Sequence, residues 1–145
     1  MTIIVSGTNS AHINSFNYVP EKLQDGEYIT FDTNRVIEKN DITHQEKSSD
    51  FIINKAGSYY IQFNTTIYEP PSTGKETTLS VYLEHNNATV YGTTVGETVT
   101  NAYQTVNLNF GVIIKANSGD VLRIKNNSGT VVELLQPNIN IIKIE

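Results

Sequence analysis

Between residues 59 and 68 every second position is apolar or small. Tyr59, Ile61, Phe63, Thr65 and Ile67 alternate with Tyr60, Gln62, Asn64, Thr66 and Tyr68. A period of two puts one set on each face of a pleated strand, so this stretch is predicted to be a strand with one face in a core. The run Pro70-Pro71-Ser72-Thr73-Gly74 ends it, because proline cannot donate to a ladder. The alternation returns at Leu79, Val81 and Leu83, against Ser80, Tyr82 and Glu84. It returns again at Val106, Leu108, Phe110, Val112 and Ile114, against Asn107, Asn109, Gly111 and Ile113. Shorter strands are predicted at 27–31, 36–37, 51–53, 90–91, 122–124, 131–135 and 139–144, separated by Asn/Gly/Ser/Asp turns at 85–87, 117–120 and 126–129. Residues 38–50 read as a charged surface loop and 92–101 as loop or edge. Residues 1–17 read as a short strand with a loop, or as a loose N-terminal arm. No stretch has a 3.6-residue period. About eight to ten short strands with turns between them predict a single all-β domain over residues 1–145, a sandwich or barrel.

Composition strengthens that reading. Ile, Val and Thr make up 46 of the 145 residues, whereas Ala and Leu number 5 and 7. β-branched side chains suit a pleated surface and lose rotamer freedom in a helix. A chain of this length buries about 68–70% of the surface it exposes when unfolded, so it needs no staple. It has no cysteine, which excludes disulfides and thiolate metal sites. The net charge is -5 and the ten Lys and Arg are scattered, so a nucleic-acid partner is not expected. No apolar run approaches the ~20 residues that span a bilayer, so membrane insertion is not expected either. The opening Met1-Thr2-Ile3-Ile4-Val5-Ser6 lacks the basic region of a secretory signal peptide.

The block Phe51, five residues, Gly57, x, Tyr59, x, Ile61, x, Phe63 resembles the signature of the complement C1q-like globular head, part of the tumour-necrosis-factor-like superfamily. One position departs, with Ile61 in place of Phe. Phe51, Tyr59, Ile61 and Phe63 are expected in the core, with Gly57 allowing a tight hairpin between the two strands. Asn34-Arg35-Val36-Ile37, the Ser118-Gly119-Asp120-Val121-Leu122 turn and the apolar stretch 139–144 are similar to the same family. The Asn/Ile/Lys-rich composition is similar to bacterial or phage members, such as the heads of spore-surface collagen-like glycoproteins. The resemblance implies a jelly roll of about ten strands that forms a homotrimer through its inner sheet. It implies a non-enzymatic head, outside the cell or on a particle surface, working in assembly, adhesion or receptor binding. Tyr60, Tyr68 and Tyr82 are large for a solvated face and become candidates for the trimer interface.

Catalytic chemistry is not visible. There is no Gly-x-Ser-x-Gly elbow, His-Glu-x-x-His pair or phosphate loop, and no cofactor or catalytic residue is expected. His12, His44 and His85 read as solvated loop or turn residues. Asp41, His44, Glu46 and Asp50 lack the ordered spacing of a calcium loop and read as a charged loop, with no metal expected. Asn64-Thr65-Thr66, Asn87-Ala88-Thr89 and Asn126-Asn127-Ser128 are glycosylation sequons by pattern alone. The rival reading is a monomeric carbohydrate-binding jelly roll. Trp is absent, so Tyr91 and Tyr103 would be its platforms for a glycan.

Overall fold

The computed structural model describes residues 10–70 and 76–145. The Ile3-Ile4-Val5 start and the Ser72-Thr73-Gly74 segment lie outside the described residues. The described chain is all-β. Its strands are β1 (His12–Phe16), β2 (Glu21–Leu23), β3 (Thr33–Glu38), β4 (Ile42–Thr43), β5 (Phe51–Ile53), β6 (Gly57–Tyr68), β7 (Thr77–His85), β8 (Ala88–Thr89), β9 (Val95–Val99), β10 (Val106–Ala116), β11 (Val121–Asn126) and β12 (Val132–Lys143). They form two antiparallel sheets. The first runs β10-β6-β12-β1-β3, with β2 also on β12. The second runs β4-β5-β11-β7-β8, with β9 also on β7.

The long alternating stretches form the strands expected of them, because each has one face to bury. Tyr59, Ile61, Phe63 and Ile67 of β6 are wholly buried, and so are Leu79, Val81 and Leu83 of β7 from the facing sheet. An aromatic cluster fills the middle. Phe31 meets Phe51 edge-on at 5.3 Å and Phe63 at 6.4 Å, and Phe63 tilts against Phe110 at 5.5 Å. Such edge contacts stabilise beyond the area they bury.

Six local readings change. Residues 90–91 form no strand, because β8 stops at Thr89 and Tyr91 stands in a turn. Phe51 and Gly57 do not flank a hairpin: β5 pairs with β4 and β11, whereas β6 pairs with β10 and β12. The 51–57 segment therefore crosses between sheets. Gly57 is required for another reason, since a Cβ there would stand 2.3 Å from the carbonyl oxygen of Glu145. The stretches 131–135 and 139–144 are one strand, β12, interrupted by a bulge between Leu135 and Asn138. Residues 27–31 form no strand. A single bridge joins Tyr28 to Lys125, and Ile29 donates its N–H to Ile124 at 2.8 Å, continuing the edge that β5 leaves short. The 38–50 loop contains β4 and a buried His44. Within 1–17, residues 12–16 form β1, paired with β12 on one side and β3 on the other.

The histidines are built in. His44, 5% exposed, stacks on Phe51 at 4.2 Å, and burial holds its pKa below the ordinary value of 6.5. His12 lies in β1, and its Nδ1 is 2.8 Å from the carbonyl of Ser10. His85, at the end of β7, sits 2.7 Å from the Asp120 carboxylate.

That carboxylate organises the Ser118-Gly119-Asp120 turn. It accepts the Asn117 N–H at 2.8 Å and the Asn86 amide at 2.9 Å as well as meeting His85. These bonds favour the charged form, led by the Asn117 N–H, and hold the Asp120 pKa at about 2, against an ordinary 3.8. A depressed carboxyl pKa stabilises the fold above the unfolded value, and that stability disappears as pH falls through the folded one. Asp120→Ala is therefore expected to lower stability by about 1–3 kcal/mol at pH 7. The gap between variant and parent should close between pH 4 and 2, measured by urea unfolding across that range. A gap that stays constant with pH would contradict the assignment.

Candidate interaction face

The outward face of the five-strand path β10-β6-β12-β1-β3 is fixed by register, so its side chains form rows across the strands. One row is Ile113–Tyr60–Ile142–His12–Glu38. The next is Gly111–Gln62–Asn140–Asn14–Val36, and the next begins Asn109–Asn64–Asn138–Phe16. The face is apolar at one end and amide-rich towards the other.

At the apolar end Ile113 is 59% exposed, beside half-buried Tyr60 and Ile142. The Tyr60 ring lies over Gly111, its hydroxyl 2.8 Å from where a Cβ would stand. Gly111 is thus the seat that lets Tyr60 lie flat on the sheet. In the neighbouring row the Asn14 amide donates to Asn138 Oδ1 at 2.9 Å and Asn140 Oδ1 at 2.7 Å, and Asn140 donates to Gln62 Oε1 at 3.1 Å. Asn14 is 8% exposed, and its Oδ1 meets no hydrogen-bond donor among the described residues. A buried unpaired acceptor costs about 1–3 kcal/mol.

The described chain aligns almost end to end with three solved structures. The globular domain of zebrafish complement 1qA protein matches with a TM-score of 0.69 and 16% identity, over 93% of this chain and 98% of that one. Murine APRIL matches at 0.60 and 9%, over 92% and 98%. Eiger TNF from S. frugiperda matches at 0.57 and 16%, over 94% and 92%. The fold is that of the C1q and TNF heads. No protein-family model matches the sequence, and no curated protein matches it either.

On this C1q/TNF-like frame the tyrosines separate. Tyr60 and Tyr68 share the outward face of β6 but stand at its two ends. Tyr68 lies opposite Glu133, whose carboxylate takes its hydroxyl bond and raises its pKa, and its ring meets Tyr103 at 5.9 Å. Tyr82 belongs to β7 in the other sheet, so the fold does not bring it to the face of Tyr60. Tyr91 is 92% exposed just beyond β8, in the second sheet, and no ring contact joins it to Tyr103. Phe51, Tyr59, Ile61 and Phe63 are buried together as one core.

The Asp41, His44, Glu46 and Asp50 set is dispersed. Asp41 pairs with Lys143 at 3.1 Å, Asp50 lies 3.8 Å from Arg123, and Glu46 accepts the Asn34 N–H at 2.8 Å. Among the described residues no group of three or more His, Asp or Glu is placed to hold a metal ion. No described helix is long and apolar enough to cross a membrane. Of the sequon asparagines, Asn64 and Asn87 are exposed, whereas Asn126 is 1% exposed and its amide is fully engaged inside the fold.

On this face, Asn14 and the β12 bulge escaped sequence reading. Asn14 sits in a polar stretch whose pattern gives no sign that it is buried. The β12 bulge is masked because Gln136-Pro137 looks like a strand break.

Proposed function

We propose that the chain is a non-enzymatic head that works as a homotrimer. In this reading it sits outside the cell or on a particle surface, such as a spore or a phage, and serves in assembly, adhesion or receptor binding. The observation that carries the reading is the apolar end of the outward face, where Ile113, Tyr60 and Ile142 stand side by side on a sheet of C1q/TNF-like topology. Wet isoleucine beside a flat tyrosine gains from burial at roughly 25 cal/mol per Å². A neighbouring copy supplies that burial. Three copies on one axis present three equal outer surfaces, which raises avidity for a repetitive target.

The test is the mass in solution by light scattering after size exclusion. A mass near three times the subunit's 16.1 kDa supports the reading, and a stable single subunit overturns it. Tyr60→Asp is expected to shift the trimer towards single subunits while circular dichroism keeps the all-β signature. An intact Tyr60→Asp trimer would remove the interface from this end of the sheet.

A further inference from the structure

The amide-rich end of the same face contains a built cleft. The bulge in β12 places one extra residue against β6, and Gln136 takes a φ of 50° there. The strand bends away, and a cleft of about 520 Å³ opens over Leu135, between the bulge, β6, β10 and the loop that carries Tyr18. That volume is in the range of small-molecule sites. A second recess of about the same size continues it past Asn138 to Arg35. The distance from Ile113 to Asn109 is four strand residues, about 13 Å along β10, so the cleft lies beyond the apolar end.

The lining has a distinct chemistry. Asn64, Asn107, Asn109 and Gln136 present side-chain amides, and among the described residues no Asp, Glu, Lys, Arg or His lines this part of the cleft. Asn64 and Asn109 are directly opposed across β6 and β10, so neighbouring strands hold their amides at a spacing of about 4.8 Å. Asn107 Oδ1 accepts the Thr66 hydroxyl at 2.8 Å, which fixes that amide. Asn64, Asn109 and Gln136 make no side-chain hydrogen bond within the described chain. Tyr18 is 80% exposed at the rim, although its backbone N–H is anchored on the Asp32 carboxylate at 3.0 Å. An aromatic ring held in water by a pinned backbone is a platform, not a core residue.

We propose that this cleft binds a neutral saccharide. Each amide offers a donor and an acceptor together, which matches a sugar hydroxyl that both gives and takes a hydrogen bond. The Tyr18 ring suits the apolar face of a pyranose, whose C–H groups stack on an aromatic surface. An anionic ligand would need a cation in the lining, and Arg35, in the second recess, lies over the Phe16 ring at 4.6 Å. A flat base sandwiched on both sides would need a second aromatic wall, and among the described lining residues Tyr18 is the one aromatic. All these residues come from one chain, so the inference does not depend on the trimer reading.

The test uses methyl glycosides of glucose, galactose, mannose, N-acetylglucosamine and rhamnose, with N-acetylneuraminic acid as the acidic comparison. Each is titrated at millimolar concentration against the full chain and read by saturation-transfer NMR. At least one neutral glycoside is expected to give signals, and the acidic sugar none. Tyr18→Ala and Asn64→Ala should each weaken that binding by about tenfold or more, with mass and melting temperature unchanged. Tyr91→Ala and Tyr103→Ala should leave it as it is. Silence from every neutral glycoside, binding that survives both cleft variants, or loss of binding in the Tyr91 or Tyr103 variant would each overturn the proposal. The mass measurement is separate, so a monomer that binds sugar sinks only the trimer, and a silent trimer sinks only the cleft.

Discussion

Asn126→Leu is expected to destabilise the fold by about 3 kcal/mol, close to the effect of losing a large core side chain. Asn126 is 1% exposed at the end of β11. Its Nδ2 lies 3.3 Å from the carbonyl of Leu23, 3.1 Å from that of Gln24 and 3.1 Å from that of Thr130, and its Oδ1 accepts the Ser128 N–H at 3.0 Å. One side chain thus ties the end of β2 to the turn between β11 and β12. Leucine has nearly the same shape but withdraws the amide from these backbone groups; the Gln24 carbonyl keeps the Glu27 N–H at 3.2 Å, and each buried group left as an orphan costs about 1–3 kcal/mol. Some would reach water as the turn relaxes, which limits the sum. In a domain of this size the melting temperature should fall by roughly 3 °C per kcal/mol. Asn126→Asp should be worse at neutral pH, because a carboxylate would face three carbonyl oxygens. Its buried carboxyl would titrate above the unfolded value of about 3.9, so its penalty should grow as pH rises from 4 to 7. A loss below about 1 kcal/mol for both variants would mean that the hub contributes little.

Phe63→Ala carries the other large effect, about 3–5 kcal/mol. Phe63 is wholly buried on β6, against Phe31 from one side and Phe110 from the other. Truncation leaves a void between the sheets that two other rings line. Phe63→Leu should recover much of the loss, because it refills most of the volume. Urea unfolding separates the outcomes: the midpoint should fall with an unchanged slope if the two sheets still unfold as one unit. Equal costs for Ala and Leu would mean that the edge contacts, not the filled volume, dominate at this site.

The two residues also mark what sequence could and could not convey. Phe63 was legible, since period-two alternation over β6 left no choice of face. The same held for β7 and β10. Asn126 was not legible. It stands in Asn126-Asn127-Ser128-Gly129, which has turn composition and a sequon, and burial of an amide depends on carbonyls about a hundred positions away. Gly57 was legible as a required glycine but for the wrong cause: the close approach is from Glu145, a contact that no local pattern encodes. The 27–31 stretch alternates like a strand, yet its neighbour position beside β11 is partly taken by β5, so only one bridge forms. For the candidate face, alternation placed Tyr60 and Tyr68 on one side of β6. It could not reveal that Tyr82 belongs to the other sheet, because a period fixes the face within a strand and not the sheet that owns it. Nor could it show that the bulge opens a cleft beside Asn64.

The position of β12 has a consequence for how the protein is made. This strand joins β6 to β1, and Asn14 donates to Asn138, 124 positions later. While a ribosome is still adding those late residues, β1 and β6 have no common neighbour. The first sheet therefore closes only after synthesis has passed residue 143, and until then its edges are open to other nascent copies. Pairings this distant also slow the search for the native state. Truncation within β12 would be expected to leave an aggregating fragment instead of a smaller working head.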